Sequence, residues 1–89
     1  MVSKEVVIRN ELGLHARAAA KFVNLANRFA SAIRVSRDTL TVDGKSIMGV
    51  LLLAATCGTA LTLTAEGEDE QKAIAALSKL VERDFKETG

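Results

Sequence analysis

The stretch TALTLTA, residues 59–65, has the clearest structural pattern in the chain. Its two leucines and its last alanine fall on one parity, and threonines stand between them. Because successive side chains of a strand point to opposite faces of a sheet, this alternation predicts a strand with one apolar and one polar face. Such a strand fits a sheet that has one face against a core and the other face open to water.

Three further strands are predicted before this stretch, and each carries its apolar residues on one parity. A turn at residues 38–39 joins the last two of them as a hairpin. These three strands cover residues 2–9, residues 31–37 and a short piece around Leu40 and Val42.

Three helices are predicted between and after the strands. From residue 16 to about residue 28 the composition favours a helix, and apolar residues recur there at three- and four-residue steps. Residues 47 to about 54 follow Ser46, a good N-cap residue, but this piece is so short that packing must hold it. The acidic residues 68–70 suit the positive end of a helix dipole and precede the third helix.

The predicted order β-α-β-β-α-β-α defines the fold class as α+β. Because every strand is apolar on one parity, we expect a two-layer open-faced sandwich with the helices on one face of the sheet. A length of 89 residues is typical of one domain, so we expect a single domain over residues 1–89.

Composition excludes several classes of function. The net charge of +1 produces no broad positive potential that would attract a polyanion. The absence of Trp and Tyr argues against stacking on nucleic-acid bases. Cys57 is the single cysteine, so we expect a small buried residue and no disulfide or thiolate metal cluster. No apolar run approaches the roughly 20 residues of a membrane span, and we expect a soluble cytoplasmic protein.

The only histidine, His15, follows Gly13 where a loop runs into the first predicted helix. First-turn N–H groups lack intrahelical partners and can bind an anion, and Arg17 adds donors suited to phosphate. The stretch therefore predicts a site where a phosphoryl group on the ring lies against a helix N-terminus. The alternative is a surface histidine without function. Metal binding is not expected, because a second ligand at recognisable spacing is missing.

Ser46 precedes more apolar residues than one buried stripe can hold. We expect Val50 and Leu53 to point inward and three of the other apolar residues to form a partner surface. Ser46 is either a structural cap alone or also a regulatory phosphorylation site, where phosphate would add charge beside that surface. The apolar residues expected at the partner surface are Ile47, Met48 and Leu51.

Two stretches resemble signatures of the HPr phosphocarrier family of the phosphoenolpyruvate-dependent sugar phosphotransferase system, including its nitrogen-related, NPr-like branch. GLHAR, residues 13–17, is similar to the active-site signature, and KSIMGV, residues 45–50, is similar to the regulatory-serine signature. The spacing of the two motifs, the chain length and the element order extend the resemblance over the whole chain.

The resemblance implies an antiparallel four-stranded sheet in the order 1-4-2-3 with three helices on one side. It implies that enzyme I phosphorylates His15 on Nδ1, with phosphoenolpyruvate as the source, and that the group passes to enzyme IIA proteins. Arg17 and the backbone N–H groups of Ala16 and Arg17 would assist the phosphate. Ser46 matches the position that an HPr kinase/phosphorylase modifies.

The protein would then be a monomeric carrier, not an enzyme by itself, and would need no cofactor or metal. Lys21 and Lys45 are expected at the partner surface beside the apolar residues. Ala18 stands where the family usually has proline, which pre-sets φ in a first helical turn, so we expect a slightly looser turn.

Two other classes of function stay open from the residues. One is a regulatory interaction module that is controlled at Ser46 and transfers no phosphoryl group through His15. The other is a small-ligand or nucleic-acid-binding α+β domain, which the balanced charge and the scarcity of aromatic residues disfavour.

Overall fold

The computed structural model describes residues 1–86, and over that range the predicted order β-α-β-β-α-β-α is confirmed. The first two helices end slightly before their expected limits. The elements are β1 (Val2–Val7), α1 (Ala16–Ala26), β2 (Ala32–Arg37), β3 (Leu40–Asp43), α2 (Ile47–Leu52), β4 (Ala60–Glu66) and α3 (Glu70–Glu82).

The strands form one antiparallel sheet in the order β1-β4-β2-β3, as expected. The alternating strand β4 lies inside the sheet, where Ala65 pairs with Val2 of β1 on one side and with Ile33 of β2 on the other. Leu61 and Leu63 of β4 are buried against the helices. The opposite face is polar and carries hydroxyl pairs that link neighbouring strands, at 3.1 Å between Ser3 Oγ and Thr64 Oγ1 and at 3.0 Å between Ser36 Oγ and Thr41 Oγ1.

The helices cover the apolar face of the sheet and complete one core. Helix α1 buries five residues, spaced as the three- and four-residue pattern predicts, and α3 packs on β1 and β4. Within residues 1–86, no helix is long and apolar enough to cross a membrane. The buried residues of α1 are Ala18, Ala19, Phe22, Val23 and Ala26.

Helix α2 has only six residues and is held at both ends by side chains. At its N-terminus Ser46 Oγ accepts a hydrogen bond from the Gly49 N–H at 3.1 Å. At its C-terminus the Arg37 guanidinium donates to the carbonyls of Leu53 and Ala54 at 2.8 and 2.9 Å. A helix this short is unstable alone, so these caps and the buried Val50 hold it on the core.

The prediction that Cys57 is buried is wrong, because the thiol is exposed. Cys57 lies on a tight turn before β4, in which the Thr59 N–H donates to Thr56 O at 3.0 Å and the Gly58 N–H donates to Ile8 O at 2.7 Å. Ala55, just before this turn, is the residue that enters the core. The turn then carries Cys57 outward, with Sγ 3.5 Å from Arg9 O.

Candidate functional site

A tight turn at residues 10–13 leads into the first helix. The Gly13 N–H donates to Asn10 O at 3.0 Å, and Asn10 Nδ2 donates to Gly13 O at 2.6 Å. Gly13 has φ +67°, and a Cβ on it would lie 2.6 Å from Ala55 O and 2.9 Å from Thr56 Cα. Glycine is required here for its left-handed backbone and for this close approach.

His15 is the N-cap residue of α1. Its backbone is extended, with φ −79° and ψ 174°, and its carbonyl accepts the Ala19 N–H at 2.8 Å. The half-buried ring makes no capping hydrogen bond, unlike the Ser, Thr, Asp or Asn side chains that usually occupy this position. The side chain of the N-cap residue therefore leaves the first-turn N–H groups of α1 unsatisfied, so that these groups can bind an anion.

Arg17 is exposed on the first turn of α1, two residues after His15. Helix geometry leaves the backbone N–H groups of Ala16 and Arg17 without an intrahelical acceptor, and both residues are exposed. Ala18, which stands where the family of the resemblance usually has proline, completes the turn and is buried against the core. Ala18 thus faces the core, while the backbone N–H groups of Ala16 and Arg17 and the Arg17 guanidinium are open to water.

Lys21 and Lys45, both predicted at the partner surface, have their ammonium groups bound to backbone carbonyls. Lys21 Nζ donates to Phe85 O at 3.1 Å and Lys45 Nζ donates to Phe29 O at 2.7 Å. Both lysines are half-buried. Each ammonium therefore joins two segments of the fold, in addition to any contact that its charge makes with a partner.

Ser46 is a structural N-cap, as one of the two alternatives predicted, and its hydroxyl binds Gly49 N–H. Its own N–H donates to Asp43 O at 3.1 Å, so the serine is fixed to the end of β3. Its regulatory role stays a prediction.

The exposed apolar residues of α2 follow the predicted split with one difference. Val50 and Leu53 are buried as expected, and Ile47 and Met48 are 41% and 72% exposed. Leu51 instead packs against the core, so we define the α2 patch by its three exposed members. One residue advances a helix by about 100°, so the boundary between buried and exposed side chains depends on the helix phase. The α2 patch consists of Ile47, Met48 and Leu52, the last of which is 67% exposed.

The His15 region and α2 are joined through the core. Helices α1 and α2 pack against each other, and Leu14 and Val50 line the same small void of about 10 Å³. The Leu14 N–H also donates to Ala55 O at 2.9 Å, in the loop that follows α2. Within residues 1–86, no group of three His, Cys, Asp or Glu side chains could hold a metal ion.

Comparisons with known proteins agree with this architecture. The sequence model described as "PTS HPr component phosphorylation site" matches residues 2–83. The phosphocarrier protein HPr of Pseudomonas aeruginosa is 52% identical over 88 residues, which cover 98% of each chain. A crystal structure of HPr from Thermoanaerobacter tengcongensis covers both chains completely, with a TM-score of 0.93 and 45% identity.

A third relative shows that this fold also occurs in a dimer. Crh of Bacillus subtilis, a catabolite repression protein, forms a domain-swapped dimer in its crystal structure. It is 45% identical to this chain with a TM-score of 0.77, over 98% of this chain and 100% of that one.

Proposed function

The chain belongs to the HPr family of the phosphotransferase system, and we propose that it carries a phosphoryl group on His15 from enzyme I to enzyme IIA proteins. The single observation that supports this role most directly is the position of His15. It occupies the N-cap of α1 without making the cap bond, so the ring and the first-turn N–H groups can act on the same ligand.

In the proposed transfer, the lone pair of His15 Nδ1 attacks the phosphorus of phosphorylated enzyme I. A P–N bond forms, the bond from phosphorus to the donor breaks, and its electron pair stays with the donor. The reverse set of bond changes delivers the group to enzyme IIA. Phosphoenolpyruvate is the ultimate source of the phosphoryl group.

The backbone N–H groups of Ala16 and Arg17 and the Arg17 guanidinium would receive the negative oxygens of the group. A helix N-terminus and an arginine guanidinium stabilise the negative charge of phosphoryl oxygens through hydrogen bonds and electrostatic attraction. Because Arg17 is exposed and His15 only half-buried, the phosphoryl group would stay open to the next partner, as a carrier requires.

The α2 patch is the proposed docking surface for enzyme I and enzyme IIA. Exposed Ile47, Met48 and Leu52 supply an apolar centre, and α1 packs against α2, so the patch adjoins the His15 helix. Lys21 and Lys45 would contribute positive charge at its margin. We propose that the protein works as a monomer, although the relative Crh forms a dimer.

We also propose that phosphorylation of Ser46 regulates this docking, through an HPr kinase/phosphorylase where the cell contains one. Ser46 Oγ already accepts from the Gly49 N–H, and a phosphate there would keep acceptor oxygens facing the same amide. The added charge would stand next to Ile47 and Met48. A partner that docks on these apolar residues would then have to remove water from the phosphate without a compensating contact, so docking would weaken.

The decisive experiment is intact-mass analysis after incubation with enzyme I and phosphoenolpyruvate. The wild-type protein is expected to gain one acid-labile phosphoryl group, and His15→Ala is expected to gain none, since the sequence has no other histidine. Arg17→Ala is the matched variant, in which phosphorylation is slowed but still directed to His15. An acid-labile phosphoryl group on His15→Ala would refute the carrier role.

A second candidate is a regulatory interaction module controlled at Ser46, which the likeness to the catabolite repression protein Crh favours. It predicts modification by ATP and the kinase at Ser46 and no mass gain with enzyme I and phosphoenolpyruvate. The two incubations, carried out separately on the same preparation, distinguish the two roles.

A further inference from the structure

The peptide plane between Gly13 and Leu14 is held at both of its ends. Its carbonyl oxygen accepts from Asn10 Nδ2 at 2.6 Å, and its N–H donates to Ala55 O at 2.9 Å. A peptide group is rigid and planar, so these two bonds fix its orientation. Only the backbone torsions of Leu14 then separate this fixed plane from His15, and the Leu14 side chain is itself buried.

Asn10 holds Gly13 through two hydrogen bonds that do different work. The Asn10 carbonyl accepts the Gly13 N–H at 3.0 Å, a bond that any residue at position 10 could make. The side-chain bond to Gly13 O requires a donor at the end of a short side chain. Aspartate, with the same shape, would place a second acceptor against that carbonyl.

The Asn10 side chain also leaves one polar atom unpaired. Its Oδ1 is buried and accepts no hydrogen bond from any residue in the described range 1–86. Buried acceptors without a partner are uncommon and destabilising in native proteins. The Nδ2 donor of Asn10 therefore binds Gly13 O, while the unpaired Oδ1 lowers the stability of the fold. A contribution to stability alone is a poor explanation for this side chain.

We propose that Asn10 is a positioning residue for phosphoryl transfer, which acts through the Gly13–Leu14 peptide to orient His15 against the first turn of α1. This inference rests on the carrier role proposed above. Small errors in the geometry of a reacting group slow transfer strongly, so a loosened peptide plane costs rate. Asn10 is not one of the residues of the α2 patch.

The test treats this protein as the substrate of enzyme I and measures kcat and KM for its phosphorylation. In Asn10→Ala and Asn10→Asp, kcat is expected to fall by about tenfold or more, because the reacting geometry is lost. KM is expected to stay within about twofold of the wild-type value, because the docking surface is intact. Intact mass confirms that modification remains at His15.

Asn27→Ala is the matched control. Asn27 Nδ2 donates to Val23 O at 2.9 Å, which is the same type of side-chain bond at the opposite end of α1. Each alanine variant is expected to lower the melting temperature by no more than about 8 °C, because each loses one side-chain hydrogen bond in a small domain. Only the Asn10 variant is expected to change kcat. If Asn10→Ala does not fold, Asn10→Asp and Asn10→Ser take its place in the comparison.

Three results would overturn the inference. The first is an unchanged kcat in a folded Asn10 variant, and the second is a rise in KM without a fall in kcat. The third is an equal loss of kcat in Asn27→Ala, which would make the effect one of general stability. A wild-type protein that accepts no phosphoryl group would refute the carrier role as well, whereas a normal wild type beside a normal Asn10→Ala refutes this inference alone.

Discussion

Asp69, before α3, receives both polar hydrogens of Ser31, which lies just before β2. Its Oδ1 accepts the Ser31 N–H at 2.9 Å and the Ser31 Oγ–H at 2.5 Å, and its Oδ2 accepts the Ala30 N–H at 2.9 Å. The Ser31 hydroxyl is the main cause that lowers the pKa of this carboxyl from 3.8 to about 2, and the Ala30 N–H adds to it. The acidic segment was expected to act on the helix dipole, but Asp69 binds another loop across 38 residues of sequence.

This pair predicts a specific pH dependence of stability. A carboxyl whose pKa is lower in the folded state stabilises the fold when ionised in both states, so its contribution is complete above about pH 4. The contribution is lost as pH falls towards about 2, where the folded state also becomes protonated. Asp69→Asn should therefore unfold at lower urea concentration at pH 7 and should show a flatter decline between pH 4 and 2.

The measurement is the urea midpoint from pH 7 down to pH 2. Glu68→Gln removes the exposed carboxylate next to Asp69 and is the control for a general change of charge. If Asp69→Asn kept the steep wild-type decline below pH 4, another group would be responsible.

Gly13→Ala should destabilise the protein for two separable reasons. Alanine at φ +67° is strained by at least ~1 kcal/mol, and its methyl group would meet the Ala55 carbonyl at 2.6 Å. Gly58→Ala is the control, since Gly58 also has a positive φ, +92°, but its Cβ would find open space. Chemical denaturation should give a larger loss for Gly13→Ala, and equal losses would show that the contact with Ala55 is relieved without cost.

Replacing the exposed side chains of the α2 patch should weaken docking without weakening the fold. Met48→Ser and Leu52→Ser should raise the KM of enzyme I for this protein by about tenfold, which corresponds to ~1.4 kcal/mol of lost contact. Their melting temperatures should stay near that of the wild type, because both side chains are exposed. Leu40→Ser, at an exposed apolar residue of β3, is the control and should leave KM unchanged.

Leu51→Ser should show the opposite pattern, with a lower melting temperature and little specific effect on KM, because Leu51 packs against the core. An unchanged KM in both Met48→Ser and Leu52→Ser would place the docking surface elsewhere.

The two roles of Ser46 can be separated by two substitutions. Ser46→Ala removes the cap bond to Gly49 and should cost ~1 kcal/mol of stability, while phosphorylation of His15 proceeds normally. Ser46→Asp retains a good cap and should keep the melting temperature near the wild-type value. Its charge beside Ile47 and Met48 should slow phosphorylation by enzyme I about tenfold. An unaltered rate in Ser46→Asp would argue against regulation at this serine.

The predictions that succeeded depended on local patterns. The alternation in β4 identified a strand with a buried face, and Ser46 before an apolar run identified a helix start, because both patterns act within a few residues. Strand order followed from the family resemblance. The partition of the α2 residues needed the phase of a six-residue helix, and Leu51, which was expected at the partner surface, packs against the core for that reason.

The contacts that the sequence did not reveal join distant or irregular segments. The hydrogen bond from Lys21 to the Phe85 carbonyl spans 64 residues of sequence, and no periodic pattern in the sequence predicts it. Asn10 is close in sequence to Gly13, but a polar residue in a turn has many possible partners, and only the folded structure identifies this one. Cys57 was misplaced because cysteine is usually buried and the outward direction of its turn depends on Ala55.

The exposed position of Cys57 gives the protein one ready attachment point for a reporter group. The thiol is the only one in the sequence, and Sγ lies 3.5 Å from Arg9 O, immediately before the turn that leads to His15. A thiol-reactive fluorophore would therefore label a single site without mutagenesis and would stand beside the Asn10–Gly13 turn. Its emission would allow the arrival and departure of the phosphoryl group to be followed in real time.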